Sequence, residues 1–537
     1  MAQRRYSLFF PLSLIAICSV LGGLYGPRVQ VASAASGNDD ISGSIKAFTK
    51  AYDLVEENFA DSVSADKAVY KGAIPGMLRT LDPHSNFFDP RDYQLLREDQ
   101  KGHYFGVGMQ VGPRGGKTVI LHPFPGAPAY KAGLRPGDII IKVNDRPTDN
   151  LTVTEVADLL KGPRGTQVTI SVTREGSEQP LVFTVTRDEI SRKSVQDAIW
   201  LRPGIAYIDI ESFNETTSRE LEENLRRLGE NNIHGLILDL RGNPGGLLNE
   251  GVAVADKFLQ KGQTIVSHRG RASAEKPYTA KNGNRGNNYP IVVLVNRSSA
   301  SAAEIVAGAL QDHDRAWILG ETTFGKGLVQ TVYPLAENTG LALTTAHFYT
   351  PSGRLIQRDY TNKSFFDYYY HKDDNAKNPL DVKMTDSGRT VYGGGGITPD
   401  EKYVEPKLNR FQIELMRKYA FFNFTKRYFG SHGIKLPKGW SPDEKIVTDF
   451  HDYLLKEGYT FTEAEFTQEH DWIKRLLKRE MYITAFDIDE SRKADVESDP
   501  EVEKAIEALP KARALVESAR KIIVQRMSPQ ASATAAR

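Results

Sequence analysis

From about Ile190 to Pro406 the chain alternates short, continuously apolar runs with helical ones, and this alternation constrains the fold more than any other feature. HGLILDLRG and YPIVVLVN carry apolar side chains at successive positions, the pattern of a strand buried on both faces. IAYIDIESF, AWILG, GLVQTVYPL and LALTTAHFYTP read as further strands; SRELEENLRRLGENN, GLLNEGVAVADKFL and SAAEIVAGALQDH read as helices. Alternation of this kind predicts an α/β core with helices on the faces of its sheet. Gly393–Gly396 reads as a flexible exit from that core.

The rest of the chain divides around this block. At 537 residues it is too long for one ordinary core. Residues 35–45 are small and polar, a tether; residues 45–100 form an N-terminal helical segment, ending in the turn-rich connector LRTLDPHSNFFDP. From His103 to Arg187 there are five or so short β runs and one helical run, VTEVADLLKG, which suit a compact, partly open barrel. Residues 407–527 are charged, aromatic and helical, and QASATAAR reads as an unstructured tail.

The N-terminus begins with Arg4 and Arg5, continues with the apolar stretch Leu8–Leu24, and reaches Ala32-Ser33-Ala34. Basic start, apolar centre and small-residue cleavage site make residues 1–34 a secretory signal; an uncleaved membrane anchor is the rival reading. Either way the bulk of the protein is expected in the periplasm or otherwise outside the cytoplasm. The only cysteine, Cys18, falls inside this segment, so disulfides, thiolate-bound zinc and a cysteine nucleophile are not expected in the folded part. Lys and Arg number 69 against 68 Asp and Glu, which gives no basic footprint for nucleic acid.

The chemistry-bearing residues lie in three glycine- and serine-rich turns. In NRSSASAAE, Ser301 follows a buried strand and opens a helix, where free N–H groups suit a developing oxyanion. Ser301 with Glu304 also fits an ordinary capping box. GETTFGKG begins like a phosphate-binding loop, but Gly327 stands where a hydroxyl should reach Mg²⁺, and LVQTVYPL continues as a strand instead of a helix. Lys326 is then free for another role: burial would lower its pKa and make its amine a general base for Ser301. Gln330, on the same strand face as residues 326 and 328, would aim it. DLRGNPGG ends the other buried strand; an N–H of Gly245 or Gly246, paired with that of Ala302, would wall an oxyanion hole. His84, His103, His122, His313 and His347 are scattered, and His313, just beyond the Ser301 helix, is the only alternative base close in sequence.

DLRGNPGG, NRSSASAAEIVAGALQDHDRA, GETTFGKGLVQ and ALTTAHFYTPSGRLIQ together closely resemble the carboxyl-terminal processing peptidases, or tail-specific proteases. GAIPGMLRTLDPHSNFFDP and GGGITPD are similar to the flanking signatures of that family. The resemblance implies a peptidase core of ClpP/crotonase-like α/β type over residues 190–406. It implies an acyl-enzyme mechanism with Ser301 as nucleophile, Lys326 as base, Gln330 assisting, and oxyanion donors at Ala302 and Gly245 or Gly246. No metal or cofactor is implied. Residues 103–187 resemble an inserted PDZ domain, whose carboxylate-binding loop would include Phe105, Gly106, Val107 and Gly108. Such a groove adds a peptide as an extra strand and captures its C-terminal carboxylate, so the expected partners are proteins with apolar C-terminal tails. The 407–527 region has no counterpart in minimal family members and reads as a packing, dimerisation or adaptor-docking appendage. The alternatives are a catalytically silent PDZ scaffold, against which the retention of Ser301, Lys326 and Gln330 argues, and an acyl-CoA enzyme of similar core, against which export and the barrel argue.

Overall fold

The computed structural model describes residues 41–361, 363–370 and 378–527. The signal or anchor reading of residues 1–34, Cys18 and the tail after Met527 lie outside the described residues. Two compact units divide the chain, Met1–Gly72 and Ala73–Arg537. In the first, Ile41–Asn58 is a single helix with no buried residue. It starts inside the stretch expected to be a tether, because ISGSI contains no proline to stop a helix from running back to Ile41.

In the second unit, the barrel-like module is a sheet of strands Met109–Arg114, Lys117–Pro123, Ile139–Val143, Gln167–Thr173 and Leu181–Thr186 in that order. Helix Val153–Leu160, opened by a Thr152–Glu155 capping box, lays Val156 and Leu160 into its core. A separate antiparallel pair, His103–Gly106 with Asp188–Ser191, joins the module's entry and exit, so its closure extends past Arg187 to Ser191.

The central sheet has six strands, in the order Val195–Arg202, Ile205–Ile210, Gly235–Asp239, Ile291–Val295, Trp317–Gly320 and Glu401–Lys402. The first pair is antiparallel and the others are parallel. Every residue of Gly235–Asp239 and Ile291–Val295 is buried, as their unbroken apolar runs require. Alternate side chains serve two cores. Leu236, Leu238, Val293 and Val295 pack with helices Thr217–Leu228, Leu248–Asp256 and Ala302–Asp312. Ile237, Val292, Leu294 and Leu319 face Val502, Ala505, Ala508, Leu509 and Ala512 of helix Pro500–Met527. The second face of the sheet is therefore covered by the last helix of the chain. Gly235 makes room for it: a Cβ there would lie 2.8 Å from Leu509 Cδ1.

The helices from Arg410 to Ala485 build their own aromatic core, with Phe421 stacked on Phe450 at 4.9 Å between centroids. They also grip the barrel module, where the Arg114 guanidinium lies 3.2 Å from the centre of the Tyr419 ring and Lys426 pairs with Glu175 at 3.2 Å.

A second sheet places the lysine-bearing segment. Strands Asn86–Phe88 and Leu328–Pro334 both pair with the long strand Gly340–Tyr349, so part of the connector LRTLDPHSNFFDP is itself a strand. The strand after GETTFGKG begins at Leu328, which leaves Lys326 in the loop ahead of it, and the register shifts between Val329 and Gln330. Gly393–Gly396 is not a flexible exit. Gly394 and Gly396 N–H groups donate to Leu355 and Ile356 carbonyls, and Gly396 packs on Thr323.

If the last helix is part of the core, Leu509→Ala should cost about 2–4 kcal/mol, read as a lower denaturant midpoint of the core transition. Leu455→Ala, at an exposed position, should change it by no more than about 0.5 kcal/mol.

Candidate active site

Strand Ile291–Val295 delivers Ser301 to the start of the buried helix Ala302–Asp312. The approach is fixed by Ser299, whose hydroxyl donates to the Leu240 carbonyl at 2.7 Å, and by the Ala300 N–H, which donates to the Asn243 carbonyl at 2.9 Å. Ser301 has φ +54° and ψ −112°, far from the extended backbone of an ordinary N-cap. A non-glycine residue held there stores strain, which surroundings at a reactive site must over-determine. The Ser301–Glu304 capping box is present, with Glu304 accepting the Ser301 N–H at 2.8 Å.

Lys326 is largely buried, and its ammonium nitrogen donates to Gln330 Oε1 at 3.0 Å. Burial pushes its pKa down, with the negative charges of Glu304 and Asp82 opposing. The other end of the Gln330 amide donates from Nε2 to the His84 carbonyl at 2.5 Å, which fixes the oxygen toward the lysine. His84 is held in turn by its ring nitrogens, at 2.9 Å from the Tyr368 hydroxyl and 3.1 Å from that of Tyr369. Burial first, then the Lys326 charge, drives its pKa down to about 4, so the ring is neutral at neutral pH. Asp82 shapes the turn by accepting the His84 and Ser85 N–H groups, both at 2.7 Å. The histidine that sequence reading left scattered thus joins the site through its backbone.

Glu304 was legible only as a capping residue, yet it joins both halves of the site. Its side chain is fully buried. Oε2 accepts Ser301 N–H and Lys326 N–H, each at 2.8 Å; Oε1 accepts Gly325 N–H at 2.7 Å and the Thr323 hydroxyl at 2.5 Å. Burial pushes its carboxyl pKa up and these bonds pull it back. Three partners are main-chain N–H groups, and the Thr323 hydroxyl can donate the fourth bond while it accepts from Ile397 N–H. Four such donors favour the carboxylate, against the burial that raises its pKa overall.

The glycine turn resolves differently from its sequence reading. Gly245 N–H donates to Asn243 Oδ1 at 2.8 Å, while Asn243 Nδ2 donates to the Ile210 carbonyl at 2.6 Å. Gly245 is thus occupied as a donor in this state. It must still be glycine, since a Cβ there would lie 2.7 Å from Ser301 Cβ and 2.9 Å from Ala302 N. No hydrogen bond among the described residues uses the N–H of Gly246 or of Ala302.

Ser301, Lys326, Gln330, Gly245 and Gly246 line one cleft of about 1260 Å³ that also runs past Val107 and Gly108 of the barrel module. Phe105 and Gly106 are not in its lining: they sit in the closing strand, with Phe105 exposed. His313 is not a base for Ser301. It lies past the opposite end of the helix, with Nδ1 at 2.7 Å from Asp386 and Nε2 at 2.7 Å from the Thr264 carbonyl.

Residues 204–363 match Peptidase family S41, residues 122–174 match a PDZ domain, and residues 27–91 match the N-terminal domain of the activating protease CtpB. The class is therefore a serine-type peptidase carrying a PDZ domain. A carboxy-terminal-processing protease of Bartonella bacilliformis is 41% identical over 301 residues, 55% of this chain and 69% of that protein. The carboxyl-terminal-processing protease of Synechocystis is 40% identical over 311 residues, 57% of this chain and 72% of that protein. The solved photosystem II D1 C-terminal processing protease aligns over 68% of this chain and 88% of that one, at 29% identity and a TM-score of 0.34. The chain belongs to the carboxy-terminal-processing proteases.

A buried amine whose pKa is depressed makes a testable demand on stability. Between the native and unfolded pKa values the unfolded chain binds more protons, so the cost of burying Lys326 falls as pH rises through that window. Lys326→Met should therefore be more thermostable than the wild type near pH 7, and the gap should shrink toward pH 10. A constant gap would contradict the burial cost.

Proposed function

We propose that this peptidase is an exported endopeptidase that cuts proteins held by their C-terminal tails, with Ser301 as nucleophile and Lys326 as general base. The observation that carries the reading is the buried Lys326 amine, bonded to Gln330 Oε1 at 3.0 Å and lining the same cleft as Ser301. As Ser301 Oγ attacks the scissile carbonyl carbon, the neutral amine takes its proton. The ammonium returns that proton to the leaving amine as the C–N bond breaks, leaving an acyl-enzyme. Water, deprotonated by the same amine, then attacks the acyl carbon, and the ammonium returns the proton to Ser301 Oγ as the ester C–O bond breaks and frees the new C-terminal carboxyl group. The uncommitted N–H groups of Ala302 and Gly246 are the donors best suited to the oxyanion, with Gly245 keeping that space clear. The Gln330 carboxamide keeps the amine lone pair aimed.

Continuity of the cleft from Val107 and Gly108 to Ser301 favours a tail bound along the PDZ groove and cut upstream. An apolar tail suits the Val107, Met109 and Leu160 side chains of its wall. On this reading residues 190–406 are a ClpP/crotonase-like core, 103–187 its inserted PDZ domain, and 407–527 a helical extension. Residues 1–34 carry the protein to the periplasm, as a cleaved signal or a retained tether.

Ser301→Ala and Lys326→Ala should each lower cleavage of an unfolded, apolar-tailed protein by about a thousandfold or more. Gln330→Ala should cost less, and the acid limb of kcat/KM should lie below the ordinary lysine range. Unchanged cleavage by both variants would end the Ser/Lys assignment, whereas tail binding with no cleavage by the wild type would leave the silent-scaffold reading.

A further inference from the structure

Three parallel strands of the central sheet end where the site's loops begin: Gly235–Asp239 leads to the glycine turn, Ile291–Val295 to Ser301, and Trp317–Gly320 to the Lys326 loop. At these ends the start of the C-terminal helix delivers two acids, Asp499 just before Pro500 and Glu501 in its first turn. Arg241, two residues past the first strand, is mostly buried and held by three carboxylates. Its guanidinium pairs with Asp239 at 2.6 Å, with Asp499 at 2.8 Å and with Glu501 at 2.8 Å. Asp239 also accepts the Tyr207 hydroxyl at 2.8 Å, and Asp499 accepts the Glu501 N–H at 2.8 Å, so the acids are themselves tied. The other Glu501 oxygen lies against Gly320, where a Cβ would sit 3.0 Å from it.

Packing alone does not require these charges. The helix already buries Val502, Ala505, Ala508, Leu509 and Ala512 on the sheet, and desolvating two carboxylates costs free energy that an apolar pair would avoid. What a multiply bonded guanidinium supplies is direction. Arg241 is followed at once by Gly242-Asn243-Pro244-Gly245-Gly246, the turn that reaches Ser301.

We propose that Asp499 and Glu501 are positioning residues of the peptidase: by locking Arg241 they hold the glycine turn at the distance from which it can bind the oxyanion. The C-terminal region is then part of the catalytic apparatus, through Arg241, and no mere appendage. This rests on the reading of Ser301 as nucleophile with an oxyanion site between the turn and Ala302.

The test uses full-length Glu501→Gln, Asp499→Asn and the combined variant, with Ser301→Ala in parallel. Active sites are counted by saturating labelling of Ser301 with a fluorophosphonate. kcat per labelled site and KM are measured on an apolar-tailed peptide, and affinity is measured for a peptide boronate that forms a tetrahedral adduct. The combined variant should lose about 10-fold in kcat per site and a similar factor in boronate affinity, with KM within about twofold. Glu501→Asp should recover part of the loss that Glu501→Gln shows. Unchanged kcat per site and boronate affinity overturn the proposal, and so does a fall in the number of labelled sites alone, which is what a structural role would give. If the combined variant does not fold, the isosteric Glu501→Gln decides by the same readouts. Activity surviving in Ser301→Ala would instead overturn the nucleophile assignment.

Discussion

Glu304 ties together the two loops that carry Ser301 and Lys326, beside the direct bond from the Phe324 N–H to the Ser299 carbonyl at 2.9 Å. Ser301 and Lys326 belong to separate segments leaving different strands, and one buried carboxylate accepts N–H groups from both at 2.8 Å. Gly325 and Thr323 complete its shell. A buried charge is tolerable only when fully bonded, so the network forms as a whole or costs heavily. That requirement also bears on Ser301, whose positive φ is held where both its flanking segments are tied. Glu304 raises the Lys326 pKa by its charge while burial lowers it more, so the same residue that bonds both loops moderates the proposed base.

The sheet behind these loops has its own demand. Strands that are apolar at every position need cover on both sides, and here the helices threaded between them pack on one side. Helix Pro500–Met527 supplies the other, with Ile237, Val292 and Leu294 facing Val502, Ala505 and Leu509. The helices before it reach the PDZ domain through Tyr419 and Lys426. Core, PDZ domain and C-terminal helices thus share contacts around one cleft.

What the sequence disclosed followed the range of the interactions. Gly235–Asp239 and Ile291–Val295 were legible because burial on two faces leaves an unbroken apolar run. Lys326 stood out because Gly327 and the strand beyond it are wrong for a phosphate loop. Glu304 showed only its local bond to Ser301; its partners at Thr323, Gly325 and Lys326 lie 19, 21 and 22 residues on. His84 was opaque for the same reason, since its carbonyl meets Gln330 across 246 residues and through the backbone, where residue type gives no signal. The choice between Gly245 and Gly246 depends on an N–H direction that Asn243 sets in the folded state. Gly393–Gly396 looked like a flexible exit because glycine marks both mobility and close packing, and only the neighbouring Thr323 shows which applies.

The central claim is that Glu304 assembles Ser301 and Lys326, the proposed nucleophile and base, before any tail is bound. It is tested most directly by the rate at which a small fluorophosphonate, too short to reach the PDZ groove, phosphonylates Ser301 with loss of fluoride in folded Glu304→Gln and in wild type without added peptide. The account predicts phosphonylation about 100-fold slower in the variant, since the glutamine amide cannot accept all four donors and the two loops lose their common anchor. Equal rates, within about twofold, in a variant of unchanged fold would contradict it.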